Sequence, residues 1–314
     1  MGADVARILD EHFADPNASP KLLADRFQGL YIPIHHNDNI AAAARRAGEI
    51  RGREAGRWLV RHGTDTDPVT IGLALLAEVG TADDIPLIQT IGLLSLTFGP
   101  LAAHALERLP DGATALIWLA ERVTGWGRVY VVESLCRLTD EHPAVRPWLL
   151  RRAADGDFLN AYFAGRVAHI ARLHEAVADF GNDAELFDQA TLILHTMTYS
   201  EGMGETLRHY PHSAPVLEAY VRHLERVEPA ARHYFLAATI AHYLTKEKPE
   251  RPEFEARWQQ IRASCLALLD RHDWCDTARH GLAAEDARLT WLADSVAAEL
   301  ELRAFLDDRP EPEA

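Results

Sequence analysis

The sequence predicts an all-α fold built from stacked pairs of antiparallel helices. Three arginines, Arg108, Arg137 and Arg166, lie 29 residues apart inside the same local pattern of apolar residues. A fixed spacing of this size is typical of one structural unit that is repeated and stacked along the chain. Apolar residues recur at helical spacing, and alternating Val, Ile and Thr runs bounded by Asn-Gly or Asp-Gly turns are absent. The repeat therefore indicates a helical solenoid.

Glycine, proline and aspartate mark the predicted helices of the N-terminal half. The stretch 39–62 carries arginines on one face, and we expect Gly63 to end it in the left-handed conformation. Asp83 and Asp84 are expected to cap the helix that they begin, because carboxylates complement the free N–H groups there. Further helices are predicted over 67–79 and 82–94, over 98–109, 127–138 and 158–168, and, as their partners, over 112–123 and 143–153.

The C-terminal half is predicted to continue as less regular helices, separated by glycine and proline. These helices are expected over 184–200, 213–226, 229–246, 251–273 and 284–306. The predicted domains are an N-terminal helical cap (1–64), regular repeats (65–200), degenerate C-terminal helical repeats or a cap (201–306) and a disordered tail (307–314), which is polar and rich in proline.

Composition narrows the class of protein. Hydrophobic residues make up 48% of the 314 residues, as in a folded chain with a packed core. The formal charge of −15 makes nucleic acid an improbable partner, because phosphate binding relies on Lys and Arg. Three cysteines do not form a disulfide framework, and neither a secretory leader nor an 18-residue uncharged apolar run is evident. We expect a cytoplasmic protein without a membrane partner.

Two segments resemble the HEAT/armadillo class of helical repeats. One begins with Gly80-Thr-Ala-Asp-Asp-Ile-Pro-Leu-Ile and continues with Phe98-Gly-Pro-Leu-Ala-Ala-His-Ala-Leu-Glu-Arg-Leu. The other begins with Gly125-Trp-Gly-Arg-Val-Tyr-Val-Val-Glu-Ser-Leu and resembles a family of uncharacterised bacterial HEAT-like proteins. The likeness covers residues 65–280 or so. It implies a right-handed α-α superhelix of paired antiparallel helices.

The arginine row has two interpretations. Arg108, Arg137 and Arg166 could line one groove and bind carboxylates or phosphates of a partner. Alternatively, each arginine could pair with an acidic or carbonyl group of the neighbouring repeat, which suits identical placement in every unit.

Further candidate binding residues cluster at two helices of the same class. Gly125-Trp126-Gly127-Arg128 could hold an anion at a helix start, or the glycines could allow tight packing. The polar and aromatic lining of a concave surface could consist of Tyr130, Glu133, Asn160, Tyr162 and Arg166. Alternatively, Tyr130 and Tyr162 could be residues at the edge of the core. The binding residues predicted in all are Arg108, Trp126, Arg128, Tyr130, Glu133, Arg137, Asn160, Tyr162 and Arg166.

No catalytic residue, metal site or cofactor is predicted. His35-His36-Asn37-Asp38 holds potential ligands, but neighbouring side chains in a loop rarely converge on one ion. The Glu205, His209, His212 spacing meets Pro211, and Cys265, His272, Cys275 and His280 lack a known zinc spacing. His195, on an apolar helix, is expected to be a hydrogen-bonded core histidine. No Gly-x-Ser-x-Gly elbow occurs.

The function predicted from these observations is a non-enzymatic interaction scaffold. Its concave helical surface would bind another protein or an acidic peptide through the arginines and aromatic residues. One alternative is an enzyme on a HEAT-like scaffold that acts on nucleic acid, as a glycosylase does, although the net charge weakens it. Another alternative is an acidic protein of the immunity type that neutralises a toxin.

Overall fold

The computed structural model describes residues 2–178, 181 and 183–306, and this part of the chain is all-helical, with no strand in it. The all-α class is therefore confirmed. By its internal contacts the chain forms two compact units, Met1–Leu149 and Leu150–Ala314, and each is described by itself. The predicted boundaries at 64 and 200 separate the regular repeats from the N-terminal cap and from the degenerate C-terminal repeats, and they stay predictions. The predicted disordered tail at 307–314 lies outside the described residues.

The first unit consists of helices joined by short turns. They are α1 (Ala3–Ala14), α2 (Pro20–Ala24), α3 (Asp38–Ala47), α4 (Glu49–His62), α5 (Thr66–Val79), α6 (Ile85–Gly92), α7 (Ser95–Glu107), α8 (Gly112–Ala120) and α9 (Gly125–Leu138), and α10 (Val145–Arg152) contains the boundary. Short 3-10 helices occur at Asp25–Phe27 and Ala82–Asp84.

The stretch expected as one helix over 39–62 is divided at Gly48. Gly48 has φ 82°, a left-handed conformation that favours glycine, and it separates α3 from α4. Gly63 instead has an extended backbone with φ −62°, so the expectation of a left-handed Gly63 is wrong. A Cβ at Gly63 would lie 2.6 Å from the Leu59 carbonyl oxygen, so close approach accounts for this glycine. The sequence thus predicted that a helix ends at Gly63, but not the reason why a glycine stands there.

Two glycines let α4 and α5 cross closely. A Cβ added to Gly72 would lie 2.9 Å from the backbone oxygen of Gly56 and 2.7 Å from Val60. A Cβ on Gly56 would in turn meet the Gly72 oxygen at 3.1 Å. The missing side chains thus bring the two backbones together and fix the position of α5, whose last turn carries Glu78.

The predicted acidic cap after α5 is confirmed for Asp84. Its Oδ2 accepts the Thr81 backbone N–H at 2.9 Å, which forms a capping box around the start of the next helix. Asp84 is 1% exposed and its other oxygen accepts a hydrogen bond from Arg57. Burial alone would raise the pKa of Asp84, but the hydrogen bonds from Arg57 and Thr81 outweigh it and hold the pKa below its ordinary value.

The second unit is also helical, but its last part is more fragmented than predicted. Its helices are α11 (Ala164–Ile170), α12 (Leu173–Ala176), α13 (Ala184–Thr196), α14 (Ser213–Leu224), α15 (Ala231–Lys246), α16 (Glu255–Leu269), α17 (His272–Ala283), α18 (Ala287–Ser295), α19 (Ala297–Leu300) and α20 (Arg303–Leu306), with 3-10 helices at Phe158–Tyr162 and Pro252–Phe254. The single helix expected over 284–306 is wrong. Glu285 and Glu301 have φ 59° and 55°, and left-handed residues cannot continue a helix.

Large aromatic residues fill the core of the second unit. Tyr220 of α14, Tyr234 of α15, Trp258 of α16 and Trp274 of α17 are at most 1% exposed. Their burial supplies much of the apolar area that stabilises these helices. None of the described helices is long and apolar enough to cross a membrane.

Candidate functional site

Two of the predicted arginines pair with an earlier helix of the first unit. The Nε atom of Arg108 donates to the Ala77 carbonyl at 2.9 Å, and its Nη2 lies 3.5 Å from Glu78. Arg137 donates from Nε and Nη2 to the two oxygens of Glu107, at 2.8 and 2.6 Å. In each pair the glutamate lies 30 positions before the arginine, so the contact recurs with the repeat. These two arginines therefore have the acidic or carbonyl partners that the stacking interpretation expects, while the repeat itself stays a prediction.

The Arg137–Glu107 pair is charged at neutral pH. Burial raises the pKa of Glu107, but hydrogen bonds from Arg137 and Ser134 outweigh it and leave the pKa below its ordinary value. Arg137 Nη2 also donates to Ser134 Oγ at 2.7 Å, so the guanidinium is held on two sides. This geometry orders Arg137 at the edge of a small cavity.

The cavity beside Arg137 brings together three of the predicted binding residues. Helix α9 places Tyr130, Glu133 and Arg137 on one wall of a space of about 260 Å³. The remaining walls include His35, His36 and His104. His35 and His36 precede α3, and His104 belongs to α7. The first unit therefore has a cavity lined by imidazole, phenol, carboxylate and guanidinium groups.

Aromatic contacts hold Tyr130 at this cavity. The Trp126 ring stacks on Tyr130, with centroids 5.9 Å apart and planes 24° apart. The His35 ring meets Tyr130 edge-on at 5.7 Å. Burial, followed by the nearby Glu133 carboxylate, raises the pKa of Tyr130, so its hydroxyl stays protonated at neutral pH. A Cβ at Gly99 would lie 3.2 Å from the Tyr130 ring, so this glycine makes room for it.

Arg128 belongs to the packing of the first unit. It is 9% exposed, and its Nη1 donates to the Ala120 carbonyl at 2.7 Å. Its guanidinium carbon lies 5.9 Å from the centre of the Trp148 ring. The Arg128 guanidinium is buried and already donates to a backbone carbonyl. This geometry favours the packing interpretation of Gly125-Trp126-Gly127-Arg128 over an anion site.

The predicted residues of the second unit have separate environments. Asn160 is 1% exposed, and its side chain forms two hydrogen bonds with Asp155. Asn160 Nδ2 donates to Asp155 Oδ1 at 2.8 Å, and Asn160 Oδ1 accepts the backbone N–H of Asp155 at 2.9 Å. Asn160 thus stabilises a turn. Tyr162 is half-buried, whereas Arg166 is exposed and has no ion pair with any residue that the structure describes. Thirty positions before Arg166 stands Cys136, where the two other arginines have a glutamate.

A cavity in the second unit has an aromatic lining and a volume of about 510 Å³. Its aromatic walls are Tyr199, after α13, Phe235 and Tyr243 of α15, and Trp291 of α18. Threonine hydroxyls and His195 are among the polar groups of the lining, which also includes charged side chains. A neighbouring space of about 400 Å³ shares His195, Tyr199 and Phe235 with it. No local sequence pattern marks this cavity, because its aromatic residues are dispersed over nearly a hundred positions.

His195 differs from the expected hydrogen-bonded core histidine. It lines both spaces of the second unit, and its ring nitrogens have no hydrogen bond to a described residue, which corrects that expectation. Its ring lies edge-on to Tyr199 and to Phe235, at 5.2 and 5.4 Å. Burial, followed by the positive charge of Arg288, lowers the pKa of His195 to about 4. The imidazole is therefore neutral at neutral pH and offers one donor and one acceptor.

Three of the titratable residues that line this cavity have partners, namely His242, Lys246 and Glu247, whereas the exposed Glu201 has no ion pair with a residue that the structure describes. His242 Nε2 lies 3.1 Å from Glu299 and Lys246 Nζ lies 2.6 Å from the same carboxylate. Arg208 and Glu247 form another pair at 3.3 Å. These contacts neutralise much of the charge around an apolar interior.

The first unit also contains a cluster of potential metal ligands that no local sequence pattern marks. In the first unit, His36, Glu78 and His104 each offer a ligand atom, and the three atoms lie within 4.8 Å of one another. Burial lowers the pKa of His104, and the charges of His36 and Arg108 add to this. The three residues are 42 and 26 positions apart. The spacing of residues along one helix or one loop therefore cannot predict that these three side chains lie together.

Comparison of the chain with family models, with curated proteins and with solved structures finds no match. The fold and the two sites are thus described from this chain alone, and the HEAT-like resemblance stays an expectation.

Proposed function

We propose that this protein binds a small, uncharged and largely apolar molecule in the aromatic cavity of the second unit. The observation that carries the proposal is the cavity of about 510 Å³ with four aromatic walls and a neutral His195. Small-molecule sites are concave, mostly apolar and of about 300–1,000 Å³, with a few polar groups that orient the ligand.

Exposure of apolar surface supports this function. Trp291 is 48% exposed, and its ring lies 5.9 Å from Phe235 at 68°. Water in contact with such rings is unfavourable, and a ligand with a flat apolar surface would replace it. Aromatic ligands would gain edge-to-face contacts with the same side chains.

The polar atoms favour a ligand with one hydrogen-bonding group. The hydroxyl proton of Thr198 is donated to the His195 carbonyl at 2.7 Å, and that of Thr239 to the Leu236 carbonyl at 2.9 Å. Their oxygens can still accept a bond, while the His195 ring can donate or accept. Because Lys246 already faces Glu299, its charge is not available to attract an anion, and the exposed Glu201 opposes an anion as well.

A fluorescent probe tests this proposal. N-phenyl-1-naphthylamine is neutral and aromatic, and we expect its emission to rise when the protein is added. Trp291→Ala removes one wall and Thr198→Trp fills the interior, so each should weaken binding by about tenfold or more. Tyr31→Ala is the matched control, since Tyr31 is an exposed aromatic residue, 68% accessible, in the first unit. Equal binding by all variants would refute the proposal.

The interaction scaffold is the second candidate, and an apolar surface patch favours it. Leu93, Leu94 and Leu96, at the junction of α6 and α7, are 41%, 61% and 69% exposed. Contiguous exposed leucines are typical of protein–protein contact surfaces. Here the leucines, rather than the paired Arg108 and Arg137, support the binding of another protein.

The test of this second candidate compares two charge substitutions. The double variant Leu94→Asp and Leu96→Asp should lose any partner that the wild-type protein captures, because a buried carboxylate opposes association. Ile50→Asp is the control, since Ile50 is 70% exposed in the same unit but outside the leucine patch. A partner retained equally by both variants would argue against this surface.

A further inference from the structure

We propose that His36, Glu78 and His104 form a site for a divalent transition-metal ion such as Zn²⁺ in the first unit. The three side chains come from the segment before α3, from the last turn of α5 and from α7. Their candidate ligand atoms all lie within 4.8 Å of one another, and the His36 and His104 ring centres are 4.5 Å apart. A small closure around an ion would bring the ligand atoms to coordination distance.

Two polar atoms of this cluster are buried without a partner. Glu78 Oε1 and His104 Nε2 are inaccessible to water and have no hydrogen bond among the described residues. The Glu78 side chain as a whole is 2% exposed. A buried carboxylate oxygen and a buried ring nitrogen are unfavourable when unsatisfied, and both are good ligands of Zn²⁺. A bound cation would satisfy both atoms at once.

The other oxygen of Glu78 is held in place by arginines. Oε2 lies 2.6 Å from Arg45 Nη1 and 3.5 Å from Arg108 Nη2. These contacts orient the carboxylate while they leave Oε1 uncommitted. Asp38 lies 3.2 Å from His36 Nε2, and a carboxylate next to a ligating histidine is a common outer partner in metal sites. Two of the three proposed ligands, Glu78 and His36, thus have neighbouring charged side chains that orient them.

The ligand set defines the class of ion. Two imidazoles and one carboxylate suit Zn²⁺, Co²⁺ or Fe²⁺, whereas Ca²⁺ and Mg²⁺ prefer oxygen ligands alone. The positive charges of Arg45 and Arg108 oppose any cation, so binding depends on coordination by nitrogen rather than on charge alone. This selects for a transition metal over an alkaline-earth ion.

The environment of the cluster implies an open coordination position. The described part of the chain supplies three protein ligands, and sites of this kind keep a place for water or a substrate. His36 and His104 both line the cavity of about 260 Å³ that Tyr130 and Glu133 also line. A bound ion would therefore be reachable from that cavity, next to a phenol and a carboxylate.

Metal titration of the full chain tests the site. After removal of ions with a chelator, calorimetric titration with ZnCl₂ should show one Zn²⁺ per chain, with no competition from Mg²⁺ or Ca²⁺. His36→Ala and His104→Ala should each weaken binding by about tenfold or more. His142→Ala is the matched control, because His142 is an exposed histidine of the same unit.

Co²⁺ provides a second readout that does not depend on affinity. Its visible absorption should report nitrogen and oxygen ligands in the wild-type protein and should change in Glu78→Gln, with far-ultraviolet circular dichroism confirming the fold. His36 is partly exposed, so His36→Ala is the variant best placed to fold normally. Equal Zn²⁺ affinities for His36→Ala and His142→Ala would overturn the proposal. The absence of Zn²⁺ binding to the wild-type protein would overturn it as well.

Discussion

Arg137 donates two nearly parallel hydrogen bonds to Glu107, at 2.8 and 2.6 Å, from α9 to the last residue of α7. The two-point geometry fixes the orientation of both planar groups. Since Arg108 and Glu78 have the same sequence separation, the contact is part of how successive helices of one class pack in the first unit.

A double-mutant cycle measures this pair. Arg137→Leu and Glu107→Ala should each lower the free energy of unfolding, and their coupling energy should be about 1 kcal/mol, because the arginine is partly solvated. Urea unfolding of the two single variants and the double variant gives the value. Arg166→Leu is the control, as Arg166 is exposed without an ion pair among the described residues, and it should change stability by less than about 0.5 kcal/mol. Additive effects of the two substitutions would contradict the assignment.

The close crossing of α4 and α5 predicts an unusual effect of alanine. Alanine at an exposed helix position would gain about 1 kcal/mol over glycine. Gly72→Ala should instead destabilise by about 1–3 kcal/mol, because its Cβ would lie 2.9 Å from the Gly56 backbone oxygen. Thermal unfolding is the measurement. Gly52→Ala should be milder, since its nearest obstacle is a Val79 methyl at 3.1 Å, and a stabilised Gly72→Ala would show that the helices can separate freely.

Asp84 predicts a pH-dependent contribution to stability. Its pKa in the folded protein is below the ordinary value, so its contribution is present above the unfolded pKa and is lost as the pH falls through the folded pKa. Asp84→Asn should cost about 2 kcal/mol at neutral pH, because the Arg57 guanidinium loses its carboxylate. Urea unfolding at neutral and acidic pH should show the difference between wild type and variant shrinking in acid. A difference that is constant with pH would contradict this role.

His195 predicts a second pH dependence, in a different range. Its pKa falls from 6.5 in the unfolded chain to about 4 in the fold, so the folded protein resists protonation. Stability should fall as the pH drops from the unfolded toward the folded value, by about 1–3 kcal/mol in total. His195→Gln should lack this component in denaturant titrations across the range. An identical pH profile for the variant would place the imidazole in water rather than at the buried cavity wall.

The all-α class could be predicted from the sequence because helical periodicity is a local property. It could also be predicted that Arg108 and Arg137 each pair with an acidic or carbonyl group, since a repeated position favours a repeated contact. The identity of the partners could not be predicted, because Glu78 and Glu107 become neighbours of these arginines only when α5, α7 and α9 pack. The breaks at Glu285 and Glu301 were missed because glutamate is ordinarily a good helix former, and tertiary packing overrides that preference.

The candidate sites were less accessible to sequence reasoning. His36 attracted notice only for its neighbours in the loop, whereas its partners Glu78 and His104 belong to two distant helices. Likewise, the apolar sequence around His195 indicates burial but does not show that α15 and α18 leave a space beside it. Such constellations depend on where helices stop and cross, and short-range patterns do not encode that.

Glu78 has a consequence for how substitutions in the first unit should be interpreted. One of its oxygens is paired with Arg45, the other is buried and uncommitted, and the same carboxylate belongs to the cluster with two imidazoles. Replacement of this residue would therefore perturb architecture and chemistry together, so a loss of stability or of metal affinity in such a variant is interpreted only beside the Co²⁺ spectrum and the histidine variants. Variants of the histidines separate the two roles, because they leave both arginine contacts intact.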